Sequence, residues 1–367
     1  MKDSLEAEQK SKMKRAAEIL GRKAEGIRSY EVVHEPKEKQ GLPRNPILEP
    51  WIFEPEYERA IKLKERLIHD FEGTPLEKAV PGKVVANEYG ESYCIEGECF
   101  TQFRKPDYEK SRQAIIPDLK LVYGIGPIWE GKLKRQGFLT IEDLTKHPKW
   151  QRPANQFLEM IERSDVGLLQ RWLGRFLPKS HPLAHYLAGF LRDEDFAILD
   201  IETLGLFGRA IILLGIAKPS RNAACINQYL LRDIPEEPAS LWEFVSHLED
   251  NEALITFNGR TFDVPFIQER LSFYGMEAPL SNPHFDLLHF ARRAWRDNLP
   301  DCRLGTVEKY LGVQRNIEVP SALVPEFYET YLKTQNVGPL VAVVEHNKQD
   351  LLTLATLFSK LYEVWNI

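Results

Sequence analysis

The apolar positions of this chain change their rhythm near residue 195. After that point they come in short unbroken runs: FAIL at 196–199, then RAIILLGIAK, ACINQYLL and, further on, ALITF at 253–257. Runs of four to eight apolar residues bounded by Gly and Asn read as buried strands. Between them Leu241–Glu249 suits a helix, and FDVPFIQERLSFYG suits another, closed by Gly275. From Leu287 on, the pattern is nearly all helical, ending in GPLVAVVEHNKQDLLTLATLFSKLYEVW. Three strands, a helix, a strand and then helices predict an α/β domain with a mixed sheet.

The first half follows a different pattern. PEYERAIKLKERLIHDF, residues 55–71, has helical periodicity, and PGKVVANEYGESYCIEGECF, residues 81–100, reads as two short strands around Tyr89 and Gly90. Residues 117–180 are predicted helical in short pieces with strong breakers. Before them, KDSLEAEQKSKMKRAAEILGRK suits a charged helix and VVHEPKEKQGLPRNPILEP a Pro-rich linker. The expected organisation is a charged extension over 1–80, a hairpin and mainly helical region over 81–190, and an α/β domain over 191–367.

Composition narrows the possibilities only modestly. At 367 residues, 43% hydrophobic and 28% charged, the chain is ordinary for a globular protein with room for two domains. Its net charge of −6 gives no general polyanion-binding surface, so contact with nucleic acid requires local basic patches or bound cations. Four scattered cysteines (Cys94, Cys99, Cys225, Cys302) make no disulfide framework. Cys94 and Cys99 flank IEGE but have no second ligand pair nearby, and read as two thiols on a hairpin rather than half a zinc site. With no opening apolar stretch and no run of membrane-spanning length, a cytoplasmic location is expected.

Three acidic sites change the picture. Asp200 and Glu202 end the FAIL strand; being two apart they project to one face, with Ile201 turned away. Carboxylates held that close repel unless a proton or a cation intervenes. Asp263, in NGRTFD, opens a helix directly after a strand, where acids also favour the helix dipole. His346 and Asp350, at i and i+4, share a face continuous with the apolar positions Val343 and Leu354. Several carboxylates with a nearby proton acceptor are what two-metal phosphoryl chemistry needs, and bound cations would let an acidic chain accept a polyanion.

D-x-E at 200–202, N-x-x-x-F-D at 258–263 and H-x-x-x-D at 346–350 resemble the three motifs of the DEDD (DnaQ-like) 3′→5′ exonucleases, which have an RNase-H-like fold. HFDLLHFARRAW (284–295), CRLGTVEKYLGV (302–313) and EHNKQDLLTLA (345–355) resemble the YprB-like branch, and the likeness covers about residues 191–363. It implies a nuclease using two Mg²⁺ or Mn²⁺ ions on single-stranded ends of DNA or RNA. Asp200, Glu202 and Asp350 would ligate metal, Asp200 bridging both ions, with Asp263 acting through water. His346 departs from the pattern: its spacing is that of the subgroup with Tyr there, which complicates its role as base. Asp286 reads as structural. Thr203 and Asn258 have ordinary turn explanations beside a substrate-contacting one.

LKLVYGIGPIWEGKLKRQGFLTIEDL, residues 119–144, resembles a helix-hairpin-helix element. Gly124 and Gly126 would let backbone approach a phosphate, with Lys132, Lys134 and Arg135 further along the helix. A plain Gly-rich helix connection is the alternative. The Arg292, Arg293 and Arg296 trio suits a solvated helix face as well as a substrate track. A scaffold that binds nucleic acid without cutting, and a structure-specific endonuclease, are the competing functions.

Overall fold

The computed structural model describes residues 54–205, 208–278, 280–315 and 317–365. The expected charged helix at 2–23 and the Pro-rich linker at 32–50 lie outside the described residues. Seven strands form one sheet: β1 (Lys83–Asn87), β2 (Gly90–Phe100), β3 (Phe196–Thr203), β4 (Ile211–Pro219), β5 (Ala223–Leu230), β6 (Ala253–Thr256) and β7 (His284–Asp286). Their spatial order is β1-β2-β5-β4-β3-β6-β7. The pairings from β1 through to β3 are antiparallel, whereas β3–β6 and β6–β7 are parallel.

Among the described residues, the helices of eight residues or more are α1 (Glu54–Asp70), α2 (Tyr108–Ile115), α3 (Pro127–Arg135), α4 (Gln151–Glu162), α5 (Val166–Leu173), α6 (Glu237–Ser246), α7 (Asp263–Phe273), α8 (Leu287–Trp295), α9 (Leu304–Leu311), α10 (Val324–Thr334) and α11 (Gly338–Val364). The result is the RNase-H-like mixed α/β architecture expected from the sequence.

Helices cover both faces, so β3 is apolar on both faces. Ala197, Leu199 and Ile201 pack with Leu241 and Phe244 of α6 and Phe266 of α7. Phe196 and Ile198 share the opposite core with Leu351, Leu354 and Phe358 of α11 and with the helices of residues 108–173. Asp200 and Glu202 continue the Phe196–Ile198 row, on the side of α11.

The structure departs from the expected pattern in four places. A fifth strand of the α/β region, β7, was not expected; three residues are too few for a periodic signal, and only its pairing with β6 defines it. Helix α6 begins at Glu237, four residues before the expected start, because buried Glu237 accepts hydrogen bonds from the Ile211 backbone (2.9 Å) and Arg270 Nε (2.8 Å). The hairpin β1–β2, grouped by sequence with the helical region, extends the sheet by pairing with β5, from Tyr93 opposite Leu230 to Phe100 opposite Ala223. Helix α1 likewise packs on the α/β region: Ala60 and Leu67 share a core with Phe327 of α10 and Val343 of α11. Cys94 and Cys99 lie on the single strand β2, and all four cysteines are free thiols.

Candidate active site

Row position on β3 brings Asp200 and Glu202 to α11. Facing Asp200 across the sheet is Gly215 of β4, and a Cβ added there would lie 2.2 Å from Asn347 Oδ1. The missing side chain leaves room for Asn347, which is fully buried on α11. Asn347 Nδ2 donates to Asp200 Oδ2 (2.7 Å) and to the Asp200 carbonyl (3.1 Å), while its Oδ1 accepts from Gln228 Nε2 (2.8 Å). Asp200 is thereby held in one orientation by an amide that is itself held.

Helix α11 also delivers His346 and Asp350, both buried. His346 Nε2 lies 3.7 Å from Glu202 Oε1 and 3.6 Å from Asp350 Oδ2. Among the described residues, Glu202, His346 and Asp350 are the group whose ligand atoms all lie within 4.8 Å of one another. The carboxylate oxygens of Glu202 and Asp350, with a third acid beside them, fit a hard divalent cation.

Asp263 heads α7, as expected, and is buried. Burial pushes its carboxyl up to about 7, with negative Asp286 and Asp350 raising it further and its own and the Ile201 backbone N–H groups opposing. Burial also raises Asp200 well above the carboxylate range, followed by negative Asp350, Glu202 and Asp263; the Asn347 donor opposes this. Glu202 rises for the same reasons, from burial and then Asp350 and Asp263, with Arg315 opposing. The four acids from three segments thus form one cluster of mutual repulsion.

Arg315 was missed from sequence. Its Nε and Nη2 donate to Glu308 (2.7 and 2.8 Å), Nη2 also pairs with Asp350, and Nη1 donates to His346 Nδ1 at 3.0 Å. Since Nδ1 accepts there, the neutral ring carries its proton on Nε2. Burial, opposed by Asp350 and reinforced by Arg315, lowers the His346 pKa below its ordinary value and keeps the ring neutral. Buried Glu308 accepts further from Thr353 Oγ1 at 2.6 Å. No periodic pattern links Arg315 to Glu308 or Asp350. For Asn347 a signal existed, a third polar residue beside His346 inside an apolar helix face.

The other sequence-derived residues serve turns. Thr203 Oγ1 donates to the Gly205 carbonyl at 2.6 Å. Asn258, at φ 66°, donates its N–H to Asp286 Oδ1 (2.8 Å) and accepts from Thr261 Oγ1 (3.1 Å). Asp286 also accepts from the N–H groups of Arg260 (3.2 Å) and Leu288 (3.2 Å), the structural part assigned to it from sequence.

In the hairpin-like element, Gly126 caps α3 with Pro127 in the first turn. Gly124, at φ 87°, sits under Trp150, which a Cβ would approach to 3.0 Å. Lys132 lies over the Trp129 ring at 5.0 Å, Lys134 pairs with Glu130 (3.0 Å), and Arg135 is exposed. Arg293 Nε donates to Ser180 Oγ (3.3 Å), whereas Arg292 and Arg296 border a depression with Asp301.

The family model of the RNase H superfamily matches residues 197–362, the span carrying all four acids and His346. YprB of Bacillus subtilis (strain 168) is 36% identical over 184 residues, covering 48% of this chain and 44% of that protein. A PolC-type DNA polymerase III of Ureaplasma parvum is 29% identical over 153 residues, covering 35% of this chain and 10% of the polymerase. The corresponding polymerase of Mycoplasma pneumoniae is 34% identical over 122 residues, covering 27% and 8%. The chain therefore spans less than half the length of each of these relatives. Residues 197–362, which carry the acid cluster, are thus similar to the RNase H superfamily, and the chain is similar to YprB over 184 residues.

Proposed function

We propose that the protein is a divalent-metal-dependent nuclease that hydrolyses phosphodiester bonds, removing nucleotides from single-stranded 3′ ends. The observation that carries this reading is the convergence of Asp200, Glu202, Asp263 and Asp350, in which burial and the neighbouring acids make the charged forms of Asp200, Glu202 and Asp263 costly. A cluster so repulsive is stabilised by cations, and its oxygen donors suit Mg²⁺ or Mn²⁺. Asp200, Glu202 and Asp350 would hold the ions, with Asp263 acting through water. When bound, two such ions supply charge compensation at the attacking and leaving oxygens of one phosphodiester.

The remaining work falls to this chain's own groups. Asn347 orients Asp200. His346 could take a proton from water at Nε2 only after Arg315 releases Nδ1 and the ring proton moves from Nε2 to Nδ1, since the Nε2 lone pair is otherwise occupied by that proton. Gly124, Gly126, Lys132 and Arg135 would grip backbone phosphates without reading sequence. No helix among the described residues is long and apolar enough to cross a membrane. Two relatives are DNA polymerases by name, which makes DNA the first substrate to test.

A second reading, a scaffold that binds nucleic acid without cutting it, draws support from Arg315, which already neutralises Asp350. End-labelled single-stranded DNA and RNA incubated with and without Mn²⁺ separates the two. Stepwise shortening from one end, abolished in Asp200→Ala, supports the nuclease; retention without hydrolysis in any divalent metal supports the scaffold. Cleavage that survives Asp200→Ala would sink the assignment of the site. Nicking of circular DNA would point instead to endonucleolytic cutting.

A further inference from the structure

Beside the β7 edge of the sheet lies a cleft of about 440 Å³, walled partly by α5 and the segment after it. Its lining carries Arg171, Arg175, Lys179 and Arg260 and no carboxylate. Such a gathering stands out in a chain of net charge −6. Arg171, Arg175 and Lys179 are exposed, and among the described residues none of them forms an ion pair. Surface cations elsewhere are commonly tied down, as in Arg192–Asp195 (2.7 Å) and Lys360–Glu363 (2.8 Å). The positive charge reaches into the protein: His284, in the cleft wall, is pushed down to about 3 by burial and then by positive Arg260 and Lys179.

Arg260 ties the cleft to the acid cluster. Its backbone N–H is part of the turn that leads into Asp263, donating to Asp286, while its guanidinium donates to the His284 carbonyl in the cleft wall. β7 is parallel to β3 and two strands away, so the C-terminal ends of both strands lie on the same edge of the sheet, about 10 Å apart. Arg260, which lines the cleft, precedes Asp263 by three residues in the chain.

We propose that this cleft binds the sugar–phosphate backbone of single-stranded nucleic acid, holding the strand whose end enters the acid cluster. The cations act as point charges and fork donors on phosphates, without base readout. What the strand is held for rests on the nuclease reading above.

The test is a fluorescence-anisotropy titration of a labelled twelve-residue oligo-dT by the full-length protein, in EDTA, at 50–200 mM NaCl. Neutralising three phosphates contributes about 2 to the log–log salt slope of single-strand binding. The triple variant Arg171→Glu, Arg175→Glu, Lys179→Glu is expected to weaken binding at least tenfold and to lower that slope by about 2. The charge-conserving variant Arg171→Lys, Arg175→Lys, Lys179→Arg is expected to stay within about threefold of wild type. Arg171→Gln and Lys179→Gln, each lowering the slope by about 0.7, keep the test informative should the charge reversal unfold. Unchanged affinity and slope in the charge-reversal variant overturns the cleft, as does competition by poly-glutamate as effective as by the oligonucleotide. Wild type that binds through the cleft but cuts nothing with any divalent metal sinks the nuclease reading and leaves the cleft standing. Cutting with binding unaltered by the variants does the reverse.

Discussion

Arg315 Nη1 donates to Nδ1 of His346 at 3.0 Å, and this contact sets the tautomer of the imidazole beside the acid cluster. The same guanidinium pairs with Asp350 and, through two bonds, with Glu308. One side chain therefore balances two buried acids and holds the proton of a third group in place.

Replacing Arg315 by Met leaves Glu308, 3% exposed, without its cation. Breaking one side of a buried ion pair costs about 3–5 kcal/mol, or roughly 6–20 °C in a domain of about 150–250 residues. Differential scanning fluorimetry is expected to show that fall, and adding Glu308→Gln is expected to recover part of it. A Tm unchanged in Arg315→Met would mean that the ion pair contributes little.

Gly215→Ala tests the close approach of Asn347. The new Cβ collides with Asn347 and disturbs the donor to Asp200, and overpacking of this kind costs about 1–3 kcal/mol. In an Asn347→Ala background the collision is gone, so the added cost of Gly215→Ala is expected to fall to less than half. Urea denaturation of the four proteins in the cycle checks this, and simple additivity would refute the contact.

Divalent cations are expected to raise the melting temperature. Repulsion among Asp200, Glu202, Asp263 and Asp350 is relieved on binding, and ligand that binds only the folded state stabilises it by RT ln(1 + [L]/Kd). At a concentration 100-fold above Kd this is about 2.7 kcal/mol. A Tm series against Mn²⁺ should rise for wild type and flatten for Glu202→Gln, with EDTA reversing the gain. Equal shifts in both proteins would place the ion elsewhere.

His185 makes stability sensitive to acid. It is fully buried, its Nε2 donates to the Phe358 carbonyl at 3.1 Å, and burial pushes its pKa down to about 3. The unfolded chain binds this proton near pH 6.5 and the folded protein does not, so stability is present above pH 6.5 and declines as pH falls toward 3. His185→Phe, flanked by Phe290, Phe358 and Trp365, is expected to flatten part of that decline. Parallel acid-unfolding curves for the two proteins would remove His185 as a cause.

Much of the architecture was legible because it is written in short periods. Alternation placed Asp200 and Glu202 on one face of β3 and Ile201 on the other, and the i, i+4 rule put His346 and Asp350 together on α11. The turn after β6 and the start of α7 at Asp263 followed from Asn, Gly and an acid at a helix start. Strand β7 was not legible, since three residues carry no period and its place comes from pairing with β6.

The sequence by itself determined which acids share a local face, because strand and helix geometry repeat over two to four residues. Tertiary structure alone decided that β3 lies beside β4, that Gly215 makes room for Asn347 against Asp200, that Arg315 spans Glu308 and Asp350, and that Arg260 joins Arg171 and Lys179 around one cleft. These groups are separated by up to 147 residues along the chain. Contacts at that range depend on how the chain closes around its core, and no local spacing encodes them.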